Sequence, residues 1–160
     1  MKQTKLTLLG VGTMGSGITQ LFAQYGFYVT LIDNLQSQLD KAKDTIAKNL
    51  HYLALTQNLE STHSIETILA SITFTTKLDE LKQSEYIIEN ITENWERKKA
   101  LYQVLKKECS ATCILGVNTS SIPITKIASL VDCLGVIMKV GNRQGMLFYH
   151  TCLWMKIFHH

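Results

Sequence analysis

Three glycines near the amino end have the spacing of a phosphate-binding loop. Gly10, Gly12 and Gly15 form a Gly-x-Gly-x-x-Gly sequence that follows an apolar run and opens a stretch with helical spacing of apolar residues. The first glycine allows a tight turn, the second removes a side chain that would block a pyrophosphate, and the third lets the helix pack close to the strand. The helix would present free amides to the phosphates. The sequence therefore predicts that this loop, with Thr13 and Met14 inside it, binds a dinucleotide.

An acidic residue follows this loop at the distance that dinucleotide sites use. Asp33 lies 18 positions beyond Gly15, at the end of a second apolar run. Its carboxylate would accept hydrogen bonds from the adenosine ribose hydroxyls and repel a 2′-phosphate, and no arginine follows it to reverse that preference. The alternative is a glycine-rich turn in which Asp33 only opens a loop. Since strand, loop, helix and acid coincide, the sequence favours the site and predicts NAD as the cofactor.

Apolar runs and segments of helical periodicity alternate along the chain, and these elements must position the loop. Asn34 is expected to cap a long helix, and Pro123 suits the first turn of a helix that runs to about residue 130. The pattern predicts an α/β fold of the Rossmann type, a doubly wound and mainly parallel sheet with a helical hairpin inserted between strands 2 and 3. The predicted strands are residues 5–9, 27–32, 71–75, 85–91 and 112–117.

Three segments resemble one family, the NAD-dependent 3-hydroxyacyl-CoA dehydrogenases, which include the 3-hydroxybutyryl-CoA enzymes of fatty acid metabolism. Residues 10–18 resemble the phosphate loop of that family, and residues 88–94 together with Lys98 resemble the motif after its fourth strand. Residues 118–121, Asn-Thr-Ser-Ser, resemble its most distinctive tetrad. The resemblance implies an oxidoreductase that interconverts 3-hydroxyacyl and 3-oxoacyl thioesters with NAD.

The resemblance also implies roles for single residues. Glu93 and Lys98 would lie beside the nicotinamide ribose and the diphosphate, Asn118 would frame the nicotinamide pocket, and Ser120 would hydrogen-bond the 3-oxygen of the substrate. Taken without the resemblance, Glu93 and Lys98 could form a solvated charge pair, and Ser120 could cap the helix near Pro123. The tetrad beside the glycine loop favours the functional interpretation.

The inserted hairpin departs from the family in the residues that recognise the acyl carrier. The family uses a serine and a lysine there, and at the matching spacing this chain has Asn49 and Thr56. Two alternatives stay open. Lys48 could supply the missing charge, or the 3-hydroxyacyl thioester could be carried by a carrier protein instead of CoA.

The proton-transfer pair of the family, a histidine held by a glutamate, has no counterpart in this chain. One alignment places Leu147 at the histidine, and another places Lys139 there. No acidic residue follows Asp132, so no carboxylate is available to orient a base such as His150. A lone histidine in an apolar and aromatic run is more often a packing residue than a general acid. We therefore expect catalysis by this chain to be impaired, and a non-catalytic nucleotide-binding or partner-binding domain is the alternative.

The last 28 residues differ in charge from the rest of the chain, with three basic residues and no acidic one. We expect an NAD-binding domain at residues 1–132 and a divergent tail at residues 133–160, in place of the last strand region and the helical C-terminal domain of the family. A reading-frame disruption or a truncated gene copy near residue 133 would explain together the change in charge, the loss of the histidine and glutamate pair and the missing domain. Apolar side chains of the tail would lack their usual partners, which predicts self-association. These side chains are Leu147, Phe148, Leu153, Trp154, Ile157 and Phe158.

The composition excludes several other classes of function. The net charge of +3 is scattered, which argues against nucleic acid as a partner. No apolar stretch approaches the roughly 20 residues of a membrane span and no signal sequence is evident, so a cytoplasmic location is expected. The four cysteines form no Cys-x-x-Cys pair and have no histidine at ligand spacing, which argues against a metal site.

Overall fold

The computed structural model describes residues 4–131, 136–140 and 148–149, and it contains one twisted sheet with helices on both faces. The strand order is β3-β2-β1-β4-β5-β6-β7, and every pair is parallel except β6 with β7. The strands are β1 (Lys5–Leu9), β2 (Tyr28–Ile32), β3 (Ile72–Thr75), β4 (Tyr86–Glu89), β5 (Ile114–Asn118), β6 (Val136–Val140) and β7 (Phe148–Tyr149). The helices are α1 (Gly12–Gln24), α2 (Gln36–Leu55), α3 (Ile65–Ala70), α4 (Trp95–Glu108) and α5 (Ile124–Ala128), with a 3₁₀ turn at Asp79–Gln83.

The order of the strands reverses beside β1, and this reversal positions the site. The chain runs outward from β1 through β2 to β3, then returns to β4 on the other side of β1 and continues to β5. Loops that leave β1 and β4 at their carboxyl ends therefore diverge to opposite faces, which opens a crevice between them. The doubly wound fold predicted from the sequence is confirmed, including the α2–α3 hairpin between strands 2 and 3.

Apolar side chains bury both faces of the sheet. One cluster joins α1, α2 and α3 to the sheet, and α2 contributes Leu39, Ala42, Ile46 and Leu50, which recur every three or four residues and are buried. The other cluster joins α4 and α5 to the sheet and includes Leu105, Leu115 and Ile127. Because both faces are covered, the strands are mostly apolar, although β1 contains the buried Thr7 and β4 ends at the buried Glu89.

Several predicted boundaries are wrong by a few residues, each for a local reason. Helix α2 has Leu35 as its N-cap and no side-chain cap bond, so Asn34 is not the cap. Asp33 instead accepts a hydrogen bond from the Leu35 amide. Strand β4 ends at Glu89 because the Ile91 amide bonds the Glu89 carboxylate rather than a neighbouring strand. Helix α5 ends at Ala128, short of residue 130.

The sheet continues past the predicted domain boundary at residue 132. Strand β6 pairs with β5 from Ile114 opposite Val136 to Asn118 opposite Val140. The division into residues 1–132 and 133–160 stays a prediction, and Leu147 and His150 lie outside the described residues. Among the residues that the structure describes, no helix combines the length and the apolar composition needed to cross a membrane. The cytoplasmic location also stays a prediction.

Candidate functional site

The glycine loop connects β1 to α1 with the conformation expected for a phosphate site. Gly10 and Gly12 have φ values of +92° and +76°, in the left-handed region that glycine adopts without strain. The Gly10 amide donates to the Ile32 carbonyl at 2.8 Å, which fixes the start of the loop to the end of β2. Helix α1 begins at Gly12, and its N-cap, Val11, makes no side-chain cap bond. The first amides of the helix are therefore left for an anion.

Gly12 and Gly15 differ in the space that surrounds them. A Cβ on Gly12 would meet no atom within 4 Å, so the loop is open to a ligand at this point. A Cβ on Gly15 would lie 2.2 Å from the Gly10 carbonyl oxygen, so only glycine permits this contact between helix and loop. The Met14 side chain is 58% exposed beside the loop, and that of Thr13 lies outside the described side chains.

Asp33 lies just after β2 and is held against the glycine loop. Its Oδ2 accepts a hydrogen bond from the Val11 amide at 2.9 Å, and its Oδ1 accepts one from the Leu35 amide at 3.0 Å. A carboxylate has about four lone-pair sites, so these two bonds leave acceptor capacity for ribose hydroxyls. The side chain is half-buried, and its orientation is set before any ligand binds.

Glu93 organises the Asn-Thr-Ser-Ser tetrad, which begins at Asn118, the last residue of β5. Its Oε1 accepts hydrogen bonds from the Thr119 hydroxyl at 2.6 Å and from the Ser120 amide at 3.2 Å. It also accepts the amide and the hydroxyl of Ser121, each at 3.0 Å. Partial burial acts to raise the pKa of Glu93, but the hydrogen bonds from Thr119 and Ser121 outweigh it and lower the pKa to about 2. The carboxylate is ionised at neutral pH and holds the turn of the tetrad.

The structure excludes the alternative roles considered for Ser120 and Glu93. Helix α5 has Pro123 as its N-cap without a side-chain cap bond, so Ser120 is not a helix cap. Ser120 is exposed, and its hydroxyl has no hydrogen-bond partner among the described residues. Lys98 is wholly buried, so it forms no solvated pair with Glu93. The predicted contact of Ser120 with the substrate stays a prediction, and the geometry leaves its hydroxyl available.

The hydrogen bonds that the tetrad donates to the ionised Glu93 carboxylate should stabilise the fold in a pH-dependent way, and the Glu93→Gln variant tests this. Because the pKa of Glu93 in the folded protein lies below its ordinary value of 4.5, its stabilising contribution is complete above pH 4.5 and is lost as the pH falls toward 2. Urea unfolding should therefore show a lower free energy of unfolding for the variant than for the unaltered chain at pH 7. This difference in free energy should be smaller at pH 3. Glu60→Gln, at an exposed site, is the control. An equal difference in free energy at both pH values would contradict a stabilising role of the ionised Glu93 carboxylate.

Lys98 takes part in a buried polar network that the sequence did not reveal. Its ammonium donates to both carboxylate oxygens of Glu89 at 2.7 Å and to the Asn118 carbonyl at 3.0 Å. The Tyr102 hydroxyl donates to Glu89 at 2.5 Å, and Glu89, Lys98 and Tyr102 are all 0% exposed. Burial, followed by the charge of Glu89, raises the pKa of Tyr102. The three hydrogens of the ammonium are used inside the protein, so any contribution of Lys98 to a cofactor site acts through Asn118.

Asn118 is held on a second side by Asn90, a residue to which the sequence analysis gave no role. The Asn118 side-chain amide donates to the Asn90 side-chain oxygen at 2.6 Å. Asn90 follows β4 directly, and its backbone amide donates to the Leu9 carbonyl at 2.7 Å. The crevice between β1, β4 and β5 thus contains the glycine loop and the tetrad, of which Asn118 is the first residue. An acid in a buried apolar strand, such as Glu89, is the one sequence signal that could have predicted the network.

The hairpin residues that were compared with the acyl-carrier site lie at the surface. Asn49 and Lys48 are exposed on α2, and Thr56 is the C-cap of that helix. The Thr56 hydroxyl donates to the Tyr52 carbonyl at 3.0 Å, so it satisfies the end of the helix. The exposed Lys48 leaves both alternatives for the acyl carrier open.

Comparison with known proteins shows the family to which the chain is similar. Residues 5–135 match the family model described as 3-hydroxyacyl-CoA dehydrogenase, NAD binding domain. The chain is 39% identical over 153 residues to a 3-hydroxybutyryl-CoA dehydrogenase of Clostridioides difficile, covering 96% of this chain and 52% of that protein. It is 40% identical over 125 residues to a probable 3-hydroxybutyryl-CoA dehydrogenase of Deinococcus radiodurans, covering 78% of this chain and 44% of that protein.

A solved structure shows the same likeness in three dimensions. The crystal structure of (S)-3-hydroxybutyryl-CoA dehydrogenase from Ralstonia eutropha superimposes with a TM-score of 0.78 at 30% identity, covering 88% of this chain and 50% of that one. The chain therefore spans about half the length of the relatives that it matches.

Proposed function

The chain belongs to the family of NAD-binding domains of 3-hydroxyacyl-CoA dehydrogenases, and from this premise we propose that it binds NAD beside a 3-hydroxyacyl thioester. The observation that carries the proposal is the anchored pair of loop and acid. Asp33 is bonded to the Val11 amide, and the loop is open over Gly12. The diphosphate would bind the first amides of α1, and the adenosine ribose would bind Asp33.

The tetrad would bind the reacting end of the substrate. In the reaction of the family, the C3 hydrogen leaves as hydride, which NAD accepts when it is bound, and the hydroxyl proton leaves to a base. Ser120 would hydrogen-bond the 3-oxygen, since its exposed hydroxyl can both donate and accept. Glu93 would keep Ser120 in place through the bonds to the tetrad. Asn118 would frame the nicotinamide.

A titration with NADH tests the cofactor assignment. We expect NADH to bind more tightly than NADPH, because the Asp33 carboxylate repels a 2′-phosphate. Asp33→Asn keeps an oxygen acceptor but removes the charge, so it should reduce the preference for NADH by about tenfold or more. Fluorescence titrations of both nucleotides measure this, with Asp44→Asn, an exposed residue of α2, as the control. Failure of NADH to bind the unaltered chain would overturn the proposal.

We further propose that the chain is a poor catalyst, which makes a non-catalytic nucleotide-binding domain the second candidate function. The sequence has no acidic residue after Asp132 to orient a histidine. Oxidation of 3-hydroxybutyryl-CoA, followed as NADH formation, should run on the order of 10² to 10⁴ times slower than with the Clostridioides difficile relative assayed in parallel. Equal rates would contradict the impairment, and no turnover with intact NADH binding would favour the second candidate.

The identity of the acyl carrier and the state of association belong to the proposal as well. The exposed Lys48 could supply a positive charge for CoA. Thr56 supplies none, and its hydroxyl is bonded to the Tyr52 carbonyl at the end of α2. Parallel assays with a CoA thioester and a carrier-protein thioester separate the two. Self-association also stays a proposal, and it rests on the apolar residues in the sequence of the tail.

A further inference from the structure

We propose that Asn90 is a positioning residue that orients the Asn118 side chain toward the bound nucleotide. The inference rests on the proposed binding of NAD and adds a residue to that site. Among the hydrogen bonds of the described residues, Asn90 is bonded to Asn118 but neither to Asp33 nor to the other three residues of the tetrad. Its action would be indirect, through Asn118.

The backbone of Asn90 is held firmly between the two strands at the crevice. Its amide donates to the Leu9 carbonyl at 2.7 Å, at the last residue of β1. A Cβ on Gly10 would lie 2.9 Å from the Asn90 carbonyl carbon and oxygen, so the start of the glycine loop packs directly on this residue. The Asn90 side chain therefore projects from a point that the phosphate loop itself fixes.

The side chain of Asn90 makes one hydrogen bond and leaves one group unsatisfied. Its oxygen accepts from the Asn118 amide at 2.6 Å. Its own Nδ2 is buried and has no partner among the described residues, at 3.7 Å from a Cβ built on Gly15. A buried unpaired donor lowers stability, and an apolar side chain at this position would avoid that cost. Within the described part of the chain, the bond to Asn118 is thus the one hydrogen bond of this side chain.

Asn118 is consequently fixed from both ends. Lys98 holds its carbonyl at 3.0 Å, and Asn90 holds its side-chain amide. With the backbone and the amide both restrained, the rotation of the Asn118 side chain is settled before the nucleotide arrives. Loss of the Asn90 oxygen would free that rotation without moving the backbone, because Lys98 stays in place.

A double-mutant cycle on Asn90 and Asn118 tests this role. Asn90→Ala should weaken NADH binding about three- to tenfold, as expected for one lost hydrogen bond. In the Asn118→Ala background the same substitution should cause no further loss, because Asn90 acts through Asn118. The midpoint of thermal unfolding should stay within about 2 °C or rise, since the variant also removes an unpaired donor. Asn58→Ala, at an exposed site, is the control.

Additive losses in the cycle, or unchanged NADH affinity in Asn90→Ala, would overturn the inference. A second measurement keeps it testable if the unaltered chain binds no NADH, a result that refutes the proposed function alone. In the free protein, NMR should show slow exchange of the Asn118 side-chain amide hydrogens with water, several times faster in Asn90→Ala. Equal exchange rates would overturn the role of Asn90 independently of the nucleotide.

Discussion

Replacing Lys98 with methionine is expected to lower the free energy of unfolding by about 3–5 kcal/mol. The methionine side chain fills similar space but leaves the Glu89 carboxylate, which is 0% exposed, without its cation. The Tyr102 hydroxyl and the Ile91 amide still donate to Glu89, but neither carries a charge. Urea unfolding at pH 7 measures the loss, which would be a large share of the stability of an ordinary domain.

Two further variants show whether the buried charge is the cause. Lys99→Met changes the adjacent lysine of α4, which makes no ion pair among the described residues, and should alter stability by about 0.5 kcal/mol or less. Adding Glu89→Gln to Lys98→Met removes the uncompensated charge and keeps an acceptor for Tyr102, so it should restore more than half of the loss. If Lys98→Met costs no more than Lys99→Met, the buried pair does not form as described.

The features that the sequence predicted well are those encoded by neighbouring residues. The glycine spacing, the strand before it and Asp33 lie within about 30 residues, the size of a βαβ unit, and the structure places them together. The hairpin between β2 and β3 follows from the periodicity of α2, whose Leu39, Ile46 and Leu50 are fully buried. The sequence pattern was sufficient for the βαβ unit and the hairpin because their defining contacts join residues that are near one another in the chain.

The features that the sequence did not predict depend on contacts between distant residues. Asn90 and Asn118 are 28 positions apart, and only the parallel pairing of β4 with β5 brings them together. The pairing of Lys98 with Glu89, rather than with Glu93, depends on which face of α4 packs on the sheet. The resemblance suggested that Glu93 borders the cofactor, and the structure adds that it bonds the tetrad. Both roles are compatible with one carboxylate, since only its Oε1 accepts these bonds.

Gly15→Ala is expected to weaken NADH binding up to about a hundredfold and to lower the free energy of unfolding by about 1–3 kcal/mol. The added methyl group would lie 2.2 Å from the Gly10 carbonyl oxygen and 3.2 Å from its carbon. Both atoms are backbone, so no side chain can move aside to relieve the contact. The loop must therefore open away from α1, and the amides that would hold the diphosphate lose their alignment. Calorimetry with NADH and urea unfolding measure the two effects.

Gly17→Ala is the matched control, because it adds the same methyl group two residues further along α1. A Cβ built on Gly17 would meet no atom within 4 Å apart from its chain neighbours and the backbone of its own helix, and Gly17 lies inside α1. Alanine favours helix over glycine by up to about 1 kcal/mol, so this variant should be as stable as the unaltered chain or more stable, with unchanged NADH affinity. Gly12→Ala separates backbone strain from steric contact. The φ of +76° at Gly12 disfavours a side chain, although a Cβ there would meet no atom within 4 Å. If Gly15→Ala and Gly17→Ala bound NADH equally well, the close packing of α1 on the loop would have no part in binding.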